Sequence, residues 1–239
     1  MKIMDYEVFT GELESIDLET KKVINTINPH SYVTAKNDNY FNKALNDSEI
    51  LIPDGSGIVL AAKQIYAKNI KKIAGTDLHN FLLKKMDEKN GKIFYMGASQ
   101  NTLDKIEKKL QEEYPNITVA SYSPPFKPSF SDEDNSIIIE KINTFTPDVL
   151  FIGMTAPKQE KWLHQHKDNL NFKVAISIGA VFDFYAGTVE RPSQFWLDLH
   201  LEWLGRLIKE PKRMWRRNFV STPLFLLDML LFKVGIKKS

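Results

Sequence analysis

The stretch Glu49-Ile50-Leu51-Ile52-Pro53-Asp54-Gly55-Ser56-Gly57 decides how this chain is read. A short apolar run bounded by polar and breaker residues predicts a buried strand over Ile50–Ile52. Pro53-Asp54-Gly55 then punctuates it before a helix over Ser56–Ala67. The same arrangement recurs along the chain. Lys22–Ile27 reads as a strand closed by Asn28-Pro29, with a helix around Ser31–Asn46 after it. Asp77–Lys89 carries Leu78, Phe81, Leu82 and Met86 close to helical spacing. Strand Ile93–Met96 ends at Gly97, and a helix over Asn101–Glu113 follows. Ile117–Ala120, a helix near Asp132–Asn143, strand Val149–Ile152, helix Lys158–Leu170 and strand Val174–Ile178 complete the series. Alternating apolar strands and helices predict an α/β fold, a mostly parallel sheet with helices on both faces. Ligands of such sheets gather at the carboxyl ends of the strands.

The chain has 239 residues, 43% of them hydrophobic, which is ample for a core and excludes disorder. With no cysteine, it has no disulfides, thiolate zinc sites or cysteine nucleophiles. Met1–Thr10 mixes Lys2, Asp5 and Glu7 with single apolar residues and does not read as a secretory leader. No apolar run approaches the roughly 20 residues of a transmembrane helix. The net charge of +2 conceals an asymmetry: Leu204–Ser239 carries +7, the preceding 203 residues −5. Helices are expected over Gln194–Glu210 and Lys212–Phe232, interrupted by Pro211 and Pro223. The expected organisation is an α/β domain over 1–190 and a helical appendage over 191–239, the latter suited to an anionic partner.

Chemistry is sought first at the strand ends. Asp54 is either a turn residue and helix cap or a general base emerging at the ligand-binding edge. Gly97-Ala98-Ser99 offers a turn whose N–H groups could hold a phosphate, although an ordinary strand–helix turn has the same sequence. Gly75-Thr76-Asp77 reads as a helix cap before a ligand contact. Gly153-Met154-Thr155-Ala156-Pro157-Lys158-Gln159-Glu160 puts Gln159 in the first turn of a helix, either hydrogen-bonding a sugar or base or facing solvent. Asp132-Glu133-Asp134 has the DxD form of metal-dependent glycosyltransferases, but acids opening a helix after Ser131 are favoured by the helix dipole alone. His164 and His166 diverge on a helix, and His30, His79 and His200 are isolated, so no metal site is expected. Arg206, Arg213 and Arg216, near Trp196, Trp203 and Trp215, suit bidentate phosphate binding. Pro223–Phe232 holds one charge in ten residues beside Lys233, Lys237 and Lys238. Such a segment either lies in a membrane interface or packs on the body or on a second copy in a homo-oligomer.

Taken in order, these elements resemble the WecG/TagA/CpsF glycosyltransferase family over about Thr26–Phe219. Thr26-Ile27-Asn28-Pro29 resembles its T-x-N-P element, Pro53 to Gly57 its P-D-G-x-G, and Gly75-Thr76-Asp77 its G-T-D. Gly153 to Glu160 resembles G-x-P-K-Q-E, and Gly179-Ala180-Val181-Phe182-Asp183-Phe184 with Ala186-Gly187 resembles G-x-x-F-D-F-x-x-G. Glu202-Trp203-Leu204-Gly205-Arg206-Leu207 with Glu210-Pro211 and Arg213 resembles E-W-L-x-R-L-x-x-E-P-x-R. The chain departs from the usual pattern at Thr155-Ala156, Ser193 and Gly205, positions that bear on donor and acceptor preference.

The resemblance implies a Rossmann-like sheet and an inverting, metal-independent, cofactor-free transfer from a UDP-sugar to a polyprenyl-diphosphate-linked sugar. In one branch N-acetylmannosamine passes to undecaprenyl-diphosphate N-acetylglucosamine, for teichoic acid. Other branches move glucose, glucuronic or N-acetylmannosaminuronic acid for capsule or exopolysaccharide. Asp54 matches the base, and Thr26, Asn28 and Gln159 match pocket residues. Arg206, Arg213 and Arg216 match appendage arginines over the diphosphate. The protein is then expected in the cytoplasm, peripheral on the anionic inner face of the membrane. Two readings of other classes stand beside this one. A nucleic-acid-binding protein could grip phosphates through the Trp/Arg tail, against which the acidic body and the 223–232 run argue, so no nucleic-acid partner is expected. A catalytically silent scaffold would have no need of Asp54, Gln159 and the arginines together.

Overall fold

The computed structural model describes residues 1–189 and 211–237, with side chains from Met214 onward in the second segment. An antiparallel hairpin of β1 (Lys2–Ile3) and β2 (Tyr6–Glu7) leads into a six-stranded sheet. That sheet comprises β3 (Lys22–Ile27), β4 (Ile50–Pro53), β5 (Lys92–Gly97), β6 (Thr118–Tyr122), β7 (Val149–Gly153) and β8 (Val174–Ser177). Their spatial order is β4-β3-β8-β7-β5-β6, and every pairing is parallel. Successive side chains point to opposite faces, so each inner strand feeds two cores. Ile93, Tyr95, Val149, Phe151 and Ile176 face one cluster, whereas Phe94, Met96, Leu150, Ile152 and Ala175 face another. The fold class expected from the alternation is the one found.

The helices connecting the strands are α1 (Pro29–Ala35), α2 (Asn39–Asn46), α3 (Ser56–Tyr66), α4 (Gly75–Lys89), α5 (Gln100–Glu113), α6 (Asp132–Phe145), α7 (Lys158–His166) and α8 (Gly179–Tyr185). Boundaries differ from expectation where a cap intervenes. The single helix expected over Ser31–Asn46 is two, because Asp38 caps α2 by accepting from the Phe41 N–H at 2.9 Å. The helix expected to reach Leu170 stops at His166 and closes in a 3-10 turn, Lys167–Asn169. The hairpin β1–β2 and helix α8 were not foreseen, being too short for periodicity to register.

The second described segment begins with α9 (Pro211–Arg216), continues through a π turn, Arg217–Ser221, and ends in α10 (Thr222–Lys233). Pro223 does not interrupt it as expected. The wide π turn accommodates a proline, which lacks the N–H that an α-turn requires there, and Thr222 Oγ1 donates to the Arg217 carbonyl at 3.0 Å. Helix α10 is apolar on opposite sides. Phe225, Met229 and Phe232 enter a third cluster with Ile27, Tyr32, Leu51 and Ile58, while Leu224, Leu227 and Leu230 stay exposed. The Tyr32 and Phe225 rings meet edge to face at 5.3 Å. Buried Asp228 accepts from the Tyr32 hydroxyl at 3.3 Å and pairs with Lys36 and with Lys237, the latter at 2.5 Å. Burial would raise the Asp228 carboxyl, but Lys237 and Lys36 outweigh it and hold the group below its ordinary range. The C-terminal helical segment expected from the sequence is present, and its last helix packs into a core cluster of the body. The helix expected over Gln194–Glu210 lies outside the described residues.

Phe225→Ala, which empties a fully buried position, is expected to cost about 3–5 kcal/mol in urea unfolding. Leu227→Ala, on the exposed side of the same helix, should stay within about 0.5 kcal/mol.

Candidate active site

Because all six strands run in parallel, their carboxyl ends share one edge, and a cleft of about 2360 Å³ opens along it. The β3–β4 ladder sets its first wall. Thr26 pairs with Ile52 and Ile27 with Pro53, so the next residues, Asn28 and Asp54, leave the sheet side by side. The Asp54 N–H still donates to the Ile27 carbonyl at 2.9 Å, which holds the half-buried aspartate at this edge. The glycines of the turn have separate steric reasons. Gly55 takes φ +105°, a region L side chains avoid, and a Cβ on Gly57 would overlap the Pro29 ring. The turn brings Gly57 at the start of α3 close to Pro29 at the start of α1 while leaving Asp54 lining the cleft beside Thr26 and Asn28.

Asn28 is also a helix cap. Its Oδ1 accepts from the His30 and Ser31 N–H groups, each at 3.0 Å, and its own N–H donates to Ser31 Oγ at 2.8 Å. With Oδ1 engaged, a ligand would meet the Nδ2 amide. Gln159 lines the cleft but does not face solvent, being 5% exposed. Its Oε1 accepts from the Met154 N–H at 3.2 Å and the Gly179 N–H at 3.1 Å, and its Nε2 donates to Glu160 at 2.9 Å. It therefore ties the β7–α7 connection to the start of α8. Arg216 also lines the cleft and is exposed. Arg206 and the side chain of Arg213 lie outside the described residues.

Other elements keep the structural reading. Asp77 caps α4 by accepting from the Ala74 N–H at 3.0 Å. The Ala98 N–H donates to the Gly153 carbonyl at 3.0 Å, and Ser99 caps α5 by accepting from the Thr102 N–H at 3.2 Å. In the DxD stretch, Asp134 accepts from the Ser131 N–H at 2.9 Å and from Lys127 at 2.8 Å. Among the described residues, no three His, Asp or Glu side chains converge as a metal-binding group.

Two cleft residues were not singled out from the sequence. His30 Nδ1 lies 2.9 Å from Ser221 Oγ, joining α1 to the π turn. Burial, then Arg217 and Arg216, lower its pKa to about 4, which keeps the ring neutral beside cations. Glu160 is 3% exposed. A signal existed for it, since it stands three residues before Leu163 on the apolar side of α7. For His30 there was none, because its partner is 191 residues away.

The sequence profile of the Glycosyl transferase WecG/TagA/CpsF family matches residues 3–239. The chain belongs to that family. Among curated relatives it is 31% identical over 224 residues to a protein of Bacillus spizizenii, covering 93% of this chain and 84% of the relative. It is 32% identical over 220 residues to one of Bacillus subtilis, covering 92% and 83%. With one of Staphylococcus aureus it shares 28% over 214 residues, covering 90% and 82%. All three are named N-acetylglucosaminyldiphosphoundecaprenol N-acetyl-beta-D-mannosaminyltransferase. The protein is a glycosyltransferase, and those of its family motifs that lie among the described residues fall on the cleft edge and on the caps and close contacts that shape it.

The two roles open to Asn28 can be separated. Asn28→Asp keeps an equivalent cap and should leave the melting temperature unchanged, so loss of transfer would report the Nδ2 donor. Asn28→Ala should lower stability by about 0.5–2 kcal/mol as well.

Proposed function

We propose that this glycosyltransferase moves N-acetylmannosamine from a UDP-sugar to the N-acetylglucosamine of a polyprenyl-diphosphate acceptor in teichoic acid assembly, with inversion and without a metal. The observation that carries the reading is the placement of Asp54 beside Asn28 and Thr26 at the carboxyl edge of a parallel sheet, facing a cleft that Arg216 also lines. The names of the relatives supply the acceptor and the transferred sugar. Asp54 takes the proton of the acceptor hydroxyl as that oxygen attacks the anomeric carbon. The bond from that carbon to the UDP oxygen breaks on the opposite face, so configuration inverts. Negative charge grows on the leaving diphosphate, where Arg216, together with Arg206 and Arg213 from the 191–239 appendage, would stabilise it as a divalent cation does in other transferases. Thr26 and Asn28 hold the sugar, and Gln159 shapes the floor beneath it.

Membrane docking completes the proposal. No helix among the described residues is long and apolar enough to cross a membrane. Leu224, Leu227, Leu230 and Val234 instead form one exposed stripe, continued by Phe219 and Ile236. An apolar stripe on a +7 tail, in an enzyme whose acceptor is a lipid, fits an anionic bilayer surface.

Asp54→Asn should abolish UDP release from UDP-N-acetylmannosamine with a lipid-diphosphate N-acetylglucosamine analogue, by at least about 10²-fold, while UDP still binds; the wild type should work equally in EDTA. Wild-type turnover by the variant would remove Asp54 as base. Replacing Leu224, Leu227 and Leu230 together by serine should weaken sedimentation with phosphatidylglycerol vesicles about tenfold or more, with the melting temperature nearly unchanged.

A further inference from the structure

Three buried carboxyl groups among the described residues differ in their partners. Asp134 has Lys127, and Asp228 has Lys36 and Lys237. Glu160, the most enclosed, has no cation: Oε1 accepts from Gln159 Nε2 at 2.9 Å, and Oε2 has no hydrogen-bond partner. The cations of α7 are engaged elsewhere, and among the described residues no ion pair reaches Glu160 from α2, with Lys43, or from the 3-10 turn, with Lys167 and Asp168. Lys158 donates to the Lys127 carbonyl at 2.6 Å and covers the Phe130 ring, Lys161 pairs with Asp38 at 2.8 Å, and His164 stands 3.7 Å from Asp47. His166 is kept neutral by burial, and Asp54 lines the cleft from the β4 side. An ionised Oε2 here would be a buried charge with no donor, which costs far more than the single unpaired hydroxyl of the neutral acid.

Gln159 explains why the group is kept. Two backbone N–H groups, of Met154 and Gly179, converge on one end of its amide, so that end must be the oxygen. The Nε2 end must then point at Glu160. Room is tight, since a Cβ on Gly179 would overlap the Met154 carbonyl and lie 2.8 Å from Gln159 Oε1. Gly153, Met154, Ser177 and Gly179 all line the cleft floor.

We propose that Glu160 is a positioning residue, held as the neutral acid, whose carboxyl locks the Gln159 amide as a strut between the β7–α7 connection and α8 and so makes the shape of the cleft floor, and with it donor binding, sensitive to pH. Burial raises the Glu160 pKa from 4.5 to about 7 against the Gln159 hydrogen bond, which favours the carboxylate, so ionisation leaves that bond in place but encloses a charge with no cation, and the strut opens to water as pH rises through neutrality. The folded state binds the proton more tightly than the unfolded chain does. This stability contribution is therefore complete below pH 4.5 and is lost as pH rises to about 7.

This inference rests on the proposed transfer for its kinetic arm only. Wild type, Glu160→Gln and Glu160→Ala are compared from pH 5.5 to 9 by amide exchange protection and by kcat and KM for the UDP-sugar. Glutamine preserves an acceptor toward Gln159 and is neutral at every pH. In the wild type, protection at Met154 and Gly179 should fall about tenfold from pH 6 to 8.5, and KM should rise over the same range with kcat less affected. Glu160→Gln should give level protection and level KM, and Glu160→Ala weak protection throughout. Wild-type protection independent of pH, or Glu160→Gln behaving like the alanine variant, overturns the proposal. If no UDP-sugar is turned over, the transfer reading fails, and protection alone judges the strut.

Discussion

Parallel pairing of β3 with its neighbours is the constraint on which the cleft depends. On the β4 side it matches Thr26 with Ile52 and Ile27 with Pro53, which brings Asn28 and Asp54 out of the sheet together. On the β8 side it matches Ile24 with Ile176, which sets Ser177 and the start of α8 against the same edge. A register shift of one residue would turn every strand side chain to the other face and separate the polar ends. Both faces are buried, so that shift would also force Ile24, Ile52 and Ile176, which are fully buried, out of the cluster they fit and into the opposite one.

Helix α1 transmits this arrangement to the C-terminal segment. Asn28 caps it, His30 in its first turn meets Ser221 of the π turn, Tyr32 packs on Phe225, and Lys36 reaches Asp228. One short helix thus carries a cleft wall at its start and the anchor of α10 along its length. Buried charges such as Asp228 contribute little net stability over apolar substitutes, but they tolerate no mispairing. The Lys36, Lys237 and Tyr32 contacts therefore bear on where α10 sits more than on how firmly it holds.

Much of the sheet was legible because each strand is a short apolar run ended by Pro, Gly, Asn or Asp. The strand-end motifs were legible for the same reason, and Asp54 and Asn28 do lie at the carboxyl edge. What escaped depended on contacts remote in sequence. The break at Asp38 is a capping choice within a pattern that otherwise reads as continuous helix. Pro223 reads as an interruption until the π turn is seen. The partners of Phe225, Met229 and Phe232 of the C-terminal segment lie in the body's core, far away in the chain. Gln159 left a choice between a ligand contact and a solvent-facing side chain, and it is buried among backbone donors of two loops.

By itself, the sequence determined the α/β class, the order of the elements, the polar residues at the strand ends and the charge difference between body and tail. Hydrophobic periodicity and backbone stereochemistry are local properties, and each is written within a few residues. Tertiary structure alone decided the neighbours: which strand ends adjoin, that Glu160 is enclosed without a cation, that His30 meets Ser221, and which side of α10 is covered. Those depend on distances between residues as far as 196 positions apart. Packing sets such distances through the chain as a whole, and no local pattern records them.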